Sequence, residues 1–296
     1  MVVWENIKKD NIEKLKQLNN YNKQFNALNK DFLNIYSRSN LFKRFFLRKK
    51  AKVLKYDNEI IGFIWVNSFK KIKCTINQFY TLSEINLEII ASDIWKIFNK
   101  SSGAMYKCED NELNENLLSK LHFKKHKSIV EMELHLDALK KYIINQANTN
   151  VEIEYFEEGI HEQIRCNVQN AVFGNENRTP ININDILEDE KQDYYIEGAS
   201  LFLKLHGNYI GYGQLILEDD YLTIVNFGIV PEYRGKGYGK ILLNELIELA
   251  FKICSEDKIL KLKVHNINRT AINLYKSFGF KCYKKRSTWF IGKMES

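Results

Sequence analysis

Ile229-Val230-Pro231-Glu232-Tyr233-Arg234-Gly235-Lys236-Gly237-Tyr238-Gly239-Lys240 decides how this chain is read. An apolar run, residues 221–230, precedes the glycines, and a run with helical apolar spacing, about 240–253, follows them. The segment is therefore the turn from a strand into a helix. Glycines 235, 237 and 239 permit positive φ and put no Cβ in the way of a ligand. Their N–H groups, just ahead of a helix N-terminus, can cradle an anion, and Lys236 and Lys240 add positive charge. By physics this is a diphosphate site. A Walker A loop needs G-x-x-x-x-G-K-[ST], but Gly239-Lys240 is followed by Ile241 and position 234 is arginine. A dinucleotide fingerprint fits Gly235 and Gly237, but position 240 is lysine and no acid ends the next strand.

Working outward, the pattern is mixed α and β. Residues 151–157 alternate as a strand, 159–173 have helical spacing, and 183–190 suit a short helix. Residues 200–205 and 210–217 form a hairpin about His206-Gly207-Asn208. After the glycine segment come a strand at 260–265, a helix at 269–278 and a last strand at 280–291. The first half repeats parts of this. Tyr56-Asp57-Asn58-Glu59-Ile60-Ile61-Gly62-Phe63 matches Leu205-His206-Gly207-Asn208-Tyr209-Ile210-Gly211-Tyr212, with Gly62 and Gly211 149 residues apart. Asn111 and Leu117-Leu118-Ser119-Lys120-Leu121-His122-Phe123 match Asn268 and Leu274-Tyr275-Lys276-Ser277-Phe278-Gly279-Phe280, with Phe123 and Phe280 157 apart. Two matches in the same order at nearly one offset predict a duplication, with its boundary at 137–150.

Arg234-Gly235-Lys236-Gly237-Tyr238-Gly239 follows [RQ]-x-x-G-x-[GA], and at these residues the chain resembles the GNAT acyltransferase superfamily. A second motif of that family is seen in Val264-His265-Asn266-Ile267-Asn268-Arg269-Thr270-Ala271-Ile272-Asn273-Leu274-Tyr275-Lys276-Ser277-Phe278-Gly279-Phe280. The resemblance covers roughly residues 150–292 and is weak over the first half; the layout is similar to tandem GNAT proteins. It implies an α/β fold of two GNAT-like domains, each a central mixed β-sheet flanked by helices. A degenerate copy is expected at 1–140 and a catalytic one at 150–296.

The resemblance implies acetyl-CoA as co-substrate, its pyrophosphate on Arg234, Gly235, Lys236, Gly237, Tyr238, Gly239 and Lys240. Pantetheine would lie along Gly228, Ile229 and Val230, where the strand is expected to splay from 260–265 and free its main-chain groups. A freed N–H can stabilise the oxyanion. Asn268 and Tyr275 are seven residues apart, which returns to within about 20° on a helix, so they share a face if the helix starts by Asn268. Tyr275 is the expected general acid towards the leaving thiolate, although a lone tyrosine is ordinarily a packing aromatic. Asn268 is expected to cap the helix and to touch the cofactor; capping alone accounts for it.

The strand before the glycines, residues 221–229, holds no acid where many family members have one. Asn226 can hold a water but cannot accept a proton itself. Glu197, Asp219 and Asp220 remain as bases, though solvated turn acids are the simpler reading. Glu188-Asp189-Glu190 can attract a cationic amine or be a solvated helix end. The first half lacks glycine between Gln78 and Ile90, and carries Leu118 and His122 against Tyr275 and Gly279, so it is not expected to bind CoA productively.

Composition bounds the rest. The 296 residues are 45% hydrophobic and 27% charged, with net charge +7, suiting two globular domains. Basic residues are interleaved with acids, which speaks against nucleic acid. The densest run, Lys43-Arg44-Phe45-Phe46-Leu47-Arg48-Lys49-Lys50, reads as a solvated amphipathic helix end. Five cysteines with no C-x-x-C suggest reduced core thiols and no metal. The start lacks a leader's apolar core and no run spans a bilayer, so a cytoplasmic protein without membrane contact is expected. The expected partner is a small-molecule or peptide amine, with the chain a monomer or homodimer. The alternative is a non-catalytic acyl-CoA sensor or scaffold.

Overall fold

The computed structural model describes residues 2–70, 74–82, 94–98, 103–139, 150–175, 178–253 and 259–292. Its first half runs β1 (Val2–Asn6), α1 (Asn11–Leu18), α2 (Asn20–Phe25), α3 (Phe32–Ser37), α4 (Leu41–Lys49), β2 (Ala51–Tyr56), β3 (Glu59–Val66), β4 (Cys74–Thr81), β5 (Gly103–Glu109), α5 (Glu112–Lys120) and β6 (Lys124–His135). The second runs β7 (Val151–Tyr155), α6 (Glu162–Phe173), α7 (Ile183–Glu190), β8 (Tyr195–Leu205), β9 (Asn208–Glu218), β10 (Tyr221–Ile229), α8 (Tyr238–Ile253), β11 (Ile259–His265), α9 (Arg269–Ser277) and β12 (Lys281–Gly292).

Two compact units result, Met1–Ile129 with Lys284–Ser296, and Val130–Tyr283. The expected domains were 1–140 and 150–296, and two strand ends make the difference. Val130, Met132 and Leu134 of β6 point inward at period two, and with Leu136 they join the second unit's core. β12 pairs with β5 from Arg286↔Glu109 to Gly292↔Gly103 and buries Trp289 and Ile291 in the first unit's core. A strand settles where its ladder and apolar face find partners, and chain order does not specify that. The expected boundary at 137–150 lies mostly outside the described residues.

The first unit's sheet has the order β1-β2-β3-β4-β5-β12, antiparallel except for β4–β5. The second has β6-β11-β10-β9-β8-β7, with β10–β11 parallel and β7 to β10 antiparallel. Both are mixed sheets flanked by helices, the expected fold class. The repeat is visible in detail. Asp57 and Asn58 turn β2 into β3 at φ +45° and +70°, as His206 and Gly207 turn β8 into β9 at +50° and +79°. Both positive values give the twist a two-residue hairpin needs. Asn111 caps α5 by accepting from Asn114 N at 2.8 Å, and Asn268 caps α9 by accepting from Ala271 N at 3.1 Å. Both helices end with a left-handed residue, His122 or Gly279, and the next N–H returns to the helix, Phe123 to Leu118 O and Phe280 to Tyr275 O.

In the second unit α8 packs Leu242, Leu243, Leu246, Ile247 and Ala250 onto the sheet. Gly213 makes this approach possible, since a Cβ there would stand 2.4 Å from Leu246 Cδ1. The close seat fixes the start of α8 against the end of β10, where the glycine segment lies. Cys74, Cys108 and Cys166 are buried, but Cys282 is exposed, against the expectation of core thiols; Cys254 lies outside the described residues. Among the described residues no helix is long and apolar enough to cross a membrane, and no cluster of three His, Cys, Asp or Glu suits a metal.

Candidate active site

β10 and β11 pair for three rungs, Leu222↔Leu260, Thr223↔Lys261 and Ile224↔Leu262, and then part. On its other side β10 stays with β9, but the register shifts between Val225 and Gly228. Asn226 stands in this bulge at φ +52°, a conformation asparagine tolerates better than most residues. The bulge turns its side chain to donate to Gln214 Oε1 at 3.1 Å. The V between the parted strands is a cleft of about 230 Å³, lined by Val225, Asn226 and Phe227 on one side and Lys263, Val264 and His265 on the other. Asn268, Tyr275, Phe173 and Arg178 complete its wall. Asn268 and Tyr275 line the same cleft as Asn226, although the helix begins at Arg269 and Asn268 stands just outside it as the cap, so the shared helical face expected for them is not what joins them. Asn268 Oδ1 is already used as the cap of α9.

Tyr275 is 7% exposed and packs between Phe227 and Phe280. Burial pushes its phenol well above the ordinary tyrosine value, so it stays protonated and keeps an O–H to donate.

At the mouth of the V, β10 ends at Ile229 and passes through Pro231–Tyr233 into the glycines. Gly235 and Gly237 take φ +78° and +88°, and a Cβ on either would meet nothing within 4 Å. Among the described residues the main-chain N–H groups of Gly235, Lys236, Gly237, Tyr238 and Gly239 have no hydrogen-bond partner, whereas Lys240 N donates to Gly237 O. Successive unpaired N–H groups at a helix start form an anion nest. Lys236 is exposed beside it, with Nζ donating to Glu232 O. The Arg234 side chain is committed elsewhere: Nε donates to Ile229 O at 2.8 Å and Nη2 to Val172 O at 2.8 Å. It ties the end of β10 to the end of α6. Gly228 sits under that tie, where a Cβ would stand 2.3 Å from Val172 Cγ1.

Three features were not foreseen. His265 lines the cleft, its Nδ1 accepting from Ile267 N at 3.4 Å. Arg165, 1% exposed, pairs through Nη2 with Asp189 Oδ2 and donates to Gln214 Oε1 at 3.1 Å. Gln214 thereby links Arg165 to Asn226, so a buried guanidinium paired with the half-buried Asp189 sits behind the bulge. Burial works to raise the Asp189 carboxyl, but the Tyr194 hydroxyl, Arg165 and Gln214 together hold it below the usual range. Asp189 is thus turned inward and is no solvated helix end; Glu188 is the exposed member, paired with Lys191. A lone arginine on an apolar helix face gives no sequence signal of this kind. Glu197, Asp219 and Asp220 do not line the cleft, and no carboxylate does among the described residues.

The first unit shows the same V filled. β4 and β5 pair for three rungs, Cys74↔Ala104 to Ile76↔Tyr106, and then part. Asn29 enters from the loop after α2, donating to Phe79 O at 2.8 Å and accepting from Phe79 N at 3.2 Å. Asn26 donates to Lys107 O at 2.8 Å and to Tyr106 Oη at 2.8 Å. The main-chain groups that parting releases are thus satisfied by the chain's own side chains. The missing glycines of this copy, residues 78–90, fall partly outside the described residues.

A bulged strand that splays from its parallel neighbour and runs through a main-chain nest into a helix defines an acetyltransferase-type fold. Residues 169–280 match the acetyltransferase (GNAT) family. Thialysine N-epsilon-acetyltransferases of Mus musculus and Sus scrofa are each 29% identical over 107 residues, 36% of this chain and 56% of theirs. The chain thus matches little more than half the length of these relatives. Among solved structures, a GCN5-related N-acetyltransferase from Sphaerobacter thermophilus shares the fold at TM-score 0.58 and 13% identity, over 98% of this chain and 95% of that one. A tandem GNAT protein from the clavulanic acid biosynthesis pathway shares it at TM-score 0.53 and 10% identity, over the full length of both.

Proposed function

We propose that this chain is an acetyl-CoA-dependent N-acetyltransferase that moves an acetyl group to a primary amine by direct attack, with its working site in residues 150–296. The observation that carries this is the splay of β10 from β11 beside five unpaired N–H groups. The two lie end to end, as an extended arm ending in a diphosphate requires. Acetyl-CoA supplies an activated thioester. The nest at Gly235, Lys236, Gly237, Tyr238 and Gly239 binds its pyrophosphate, and Lys236 and Lys240 add charge. The edge of β10 at Gly228 and Ile229 that faces the cleft offers main-chain groups to the pantetheine amides, as a sheet edge does to an added strand, whereas Val230 N is held by Ile210 O and Ile229 O by Arg234. Arg234 contributes by holding that edge to α6.

Tyr275 keeps its proton and donates a hydrogen bond to the departing thiolate. Asn226, fixed by Gln214, orients a water or the amine at the bulge. His265 lines the same cleft and is the side chain there assigned to receive the proton of the attacking amine. The relatives named for an N-epsilon acceptor support an amine of the lysine side-chain type. The acidic α7 forms no free attractant for it, because Asp189 is engaged by Arg165. Residues 1–140 are read as a second copy whose donor slot is plugged by Asn26 and Asn29 and which supports the fold.

The test mixes the protein with acetyl-CoA and a panel of primary amines, thialysine and lysine among them, and follows released thiol. Turnover with at least one amine is expected. Absence of turnover together with absence of CoA binding ends the reading, and tight CoA binding with no turnover assigns a sensor or scaffold instead.

A further inference from the structure

The basic run at residues 43–50 finds no role in the chemistry above, and its setting is not that of a solvated helix end. α4 leaves Leu41 80%, Phe42 74%, Phe45 46% and Phe46 43% exposed. At about 100° per residue, Leu41, Phe45, Lys49, Phe42 and Phe46 fall in one stripe roughly 140° wide. The rings cluster, with Phe42 and Phe46 centroids 4.8 Å apart and Phe45 and Phe46 5.6 Å apart, and Lys49 Nζ lies 4.2 Å over the Phe45 ring. The opposite face is anchored. Leu47 is buried, Arg44 donates to Tyr36 O and Ser37 O, and Arg48 donates to the Tyr36 hydroxyl. The apolar stripe is therefore held outward by its own anchoring.

Charge selects the occupant. Every ionisable residue of 41–50 is cationic, namely Lys43, Arg44, Arg48, Lys49 and Lys50, and no acid occurs from 32 to 55. Lys43 and Lys50 border one side of the stripe, and Arg44 and Arg48 the other. A second copy meeting this face about a two-fold axis would set these cations against themselves. A nucleic acid would match the cations but leave Leu41 and Phe42 in water. A surface of anionic phospholipid matches both, with acyl boundary for the stripe and headgroup phosphate for the flanking lysines. We propose that α4 docks the protein, peripherally and reversibly, on anionic membranes.

The full chain is sedimented with vesicles of phosphatidylcholine containing phosphatidylserine, with vesicles of phosphatidylcholine alone, and across a salt series. Binding only to the anionic vesicles, weakened by salt, is expected. L41D/F42D abolishes it, and K43Q/K49Q/K50Q weakens it by about fivefold per lysine. These side chains face water, so the fold is kept, which circular dichroism verifies. I160D, at a position 63% exposed in the other unit, leaves binding unchanged. Failure to bind anionic vesicles at low salt overturns the proposal. So does vesicle binding indifferent to L41D/F42D, a concentration-dependent dimer lost in L41D/F42D without vesicle binding, or oligonucleotide binding that survives L41D/F42D without vesicle binding.

Discussion

Replacing Arg234 by alanine separates two roles for the motif arginine. If its side chain reached the pyrophosphate, its loss would weaken acetyl-CoA and leave the fold alone. In the structure it instead spans Ile229 O and Val172 O, each at 2.8 Å. The side chain is partly exposed, so each bond contributes only about 1 kcal/mol net, and the pair about 2 kcal/mol. For a unit of this size that is a fall of about 4–8 °C in the thermal midpoint. R234K keeps the charge but has a single donor point in place of the fork, and should lose about half as much. Because β10 and α6 then part at the mouth of the cleft, the KM for acetyl-CoA should rise by less than about tenfold, a loss smaller than that of a charge-assisted phosphate contact. Melting followed by circular dichroism, with KM for acetyl-CoA measured on the same samples, decides the matter. An unchanged midpoint with a KM raised well beyond tenfold would refute the clamp and return the guanidinium to the phosphate.

G237A puts a methyl into the open cradle at φ +88° and should cost about 1–2 kcal/mol in stability while weakening acetyl-CoA by calorimetry. G228A should destabilise by about 1–3 kcal/mol through overpacking on Val172, and V172A in the same chain should recover part of it in urea titration. Y275F should lower kcat by about a hundredfold with the melting midpoint unmoved. The Tyr275 value is raised on folding, so the stability tied to its neutral form is fully present below about pH 10 and lost above it, and no limb of the rate profile below that pH should disappear in Y275F. Asp189 is lowered on folding, so its contribution is present above about pH 4 and lost as pH falls through its native value. D189N should flatten that acid limb in urea midpoints at a cost of about 1–3 kcal/mol at neutral pH.

The sequence alone determined the local events. Strand, glycine nest and helix at 221–253 follow from apolar period, glycine spacing and charge, because each is written in adjacent residues. The copied hairpin turns and the copied caps at Asn111 and Asn268 were legible for the same reason. The cap role of Asn268 was legible because capping is a local rule, whereas its meeting with Tyr275 on one wall was not fixed by helical repeat, since the helix begins at Arg269. Tertiary structure alone decided which core each closing strand joined, since the apolar faces of β6 and β12 suit any sheet that leaves an edge open. It also decided that Arg234 bonds main-chain carbonyls, that Asp189 turns in to Arg165, that Asn26 and Asn29 fill the first V, and that α4 shows its phenylalanines to solvent. Each of these depends on what stands across from a residue in space, and a linear pattern holds no information on that.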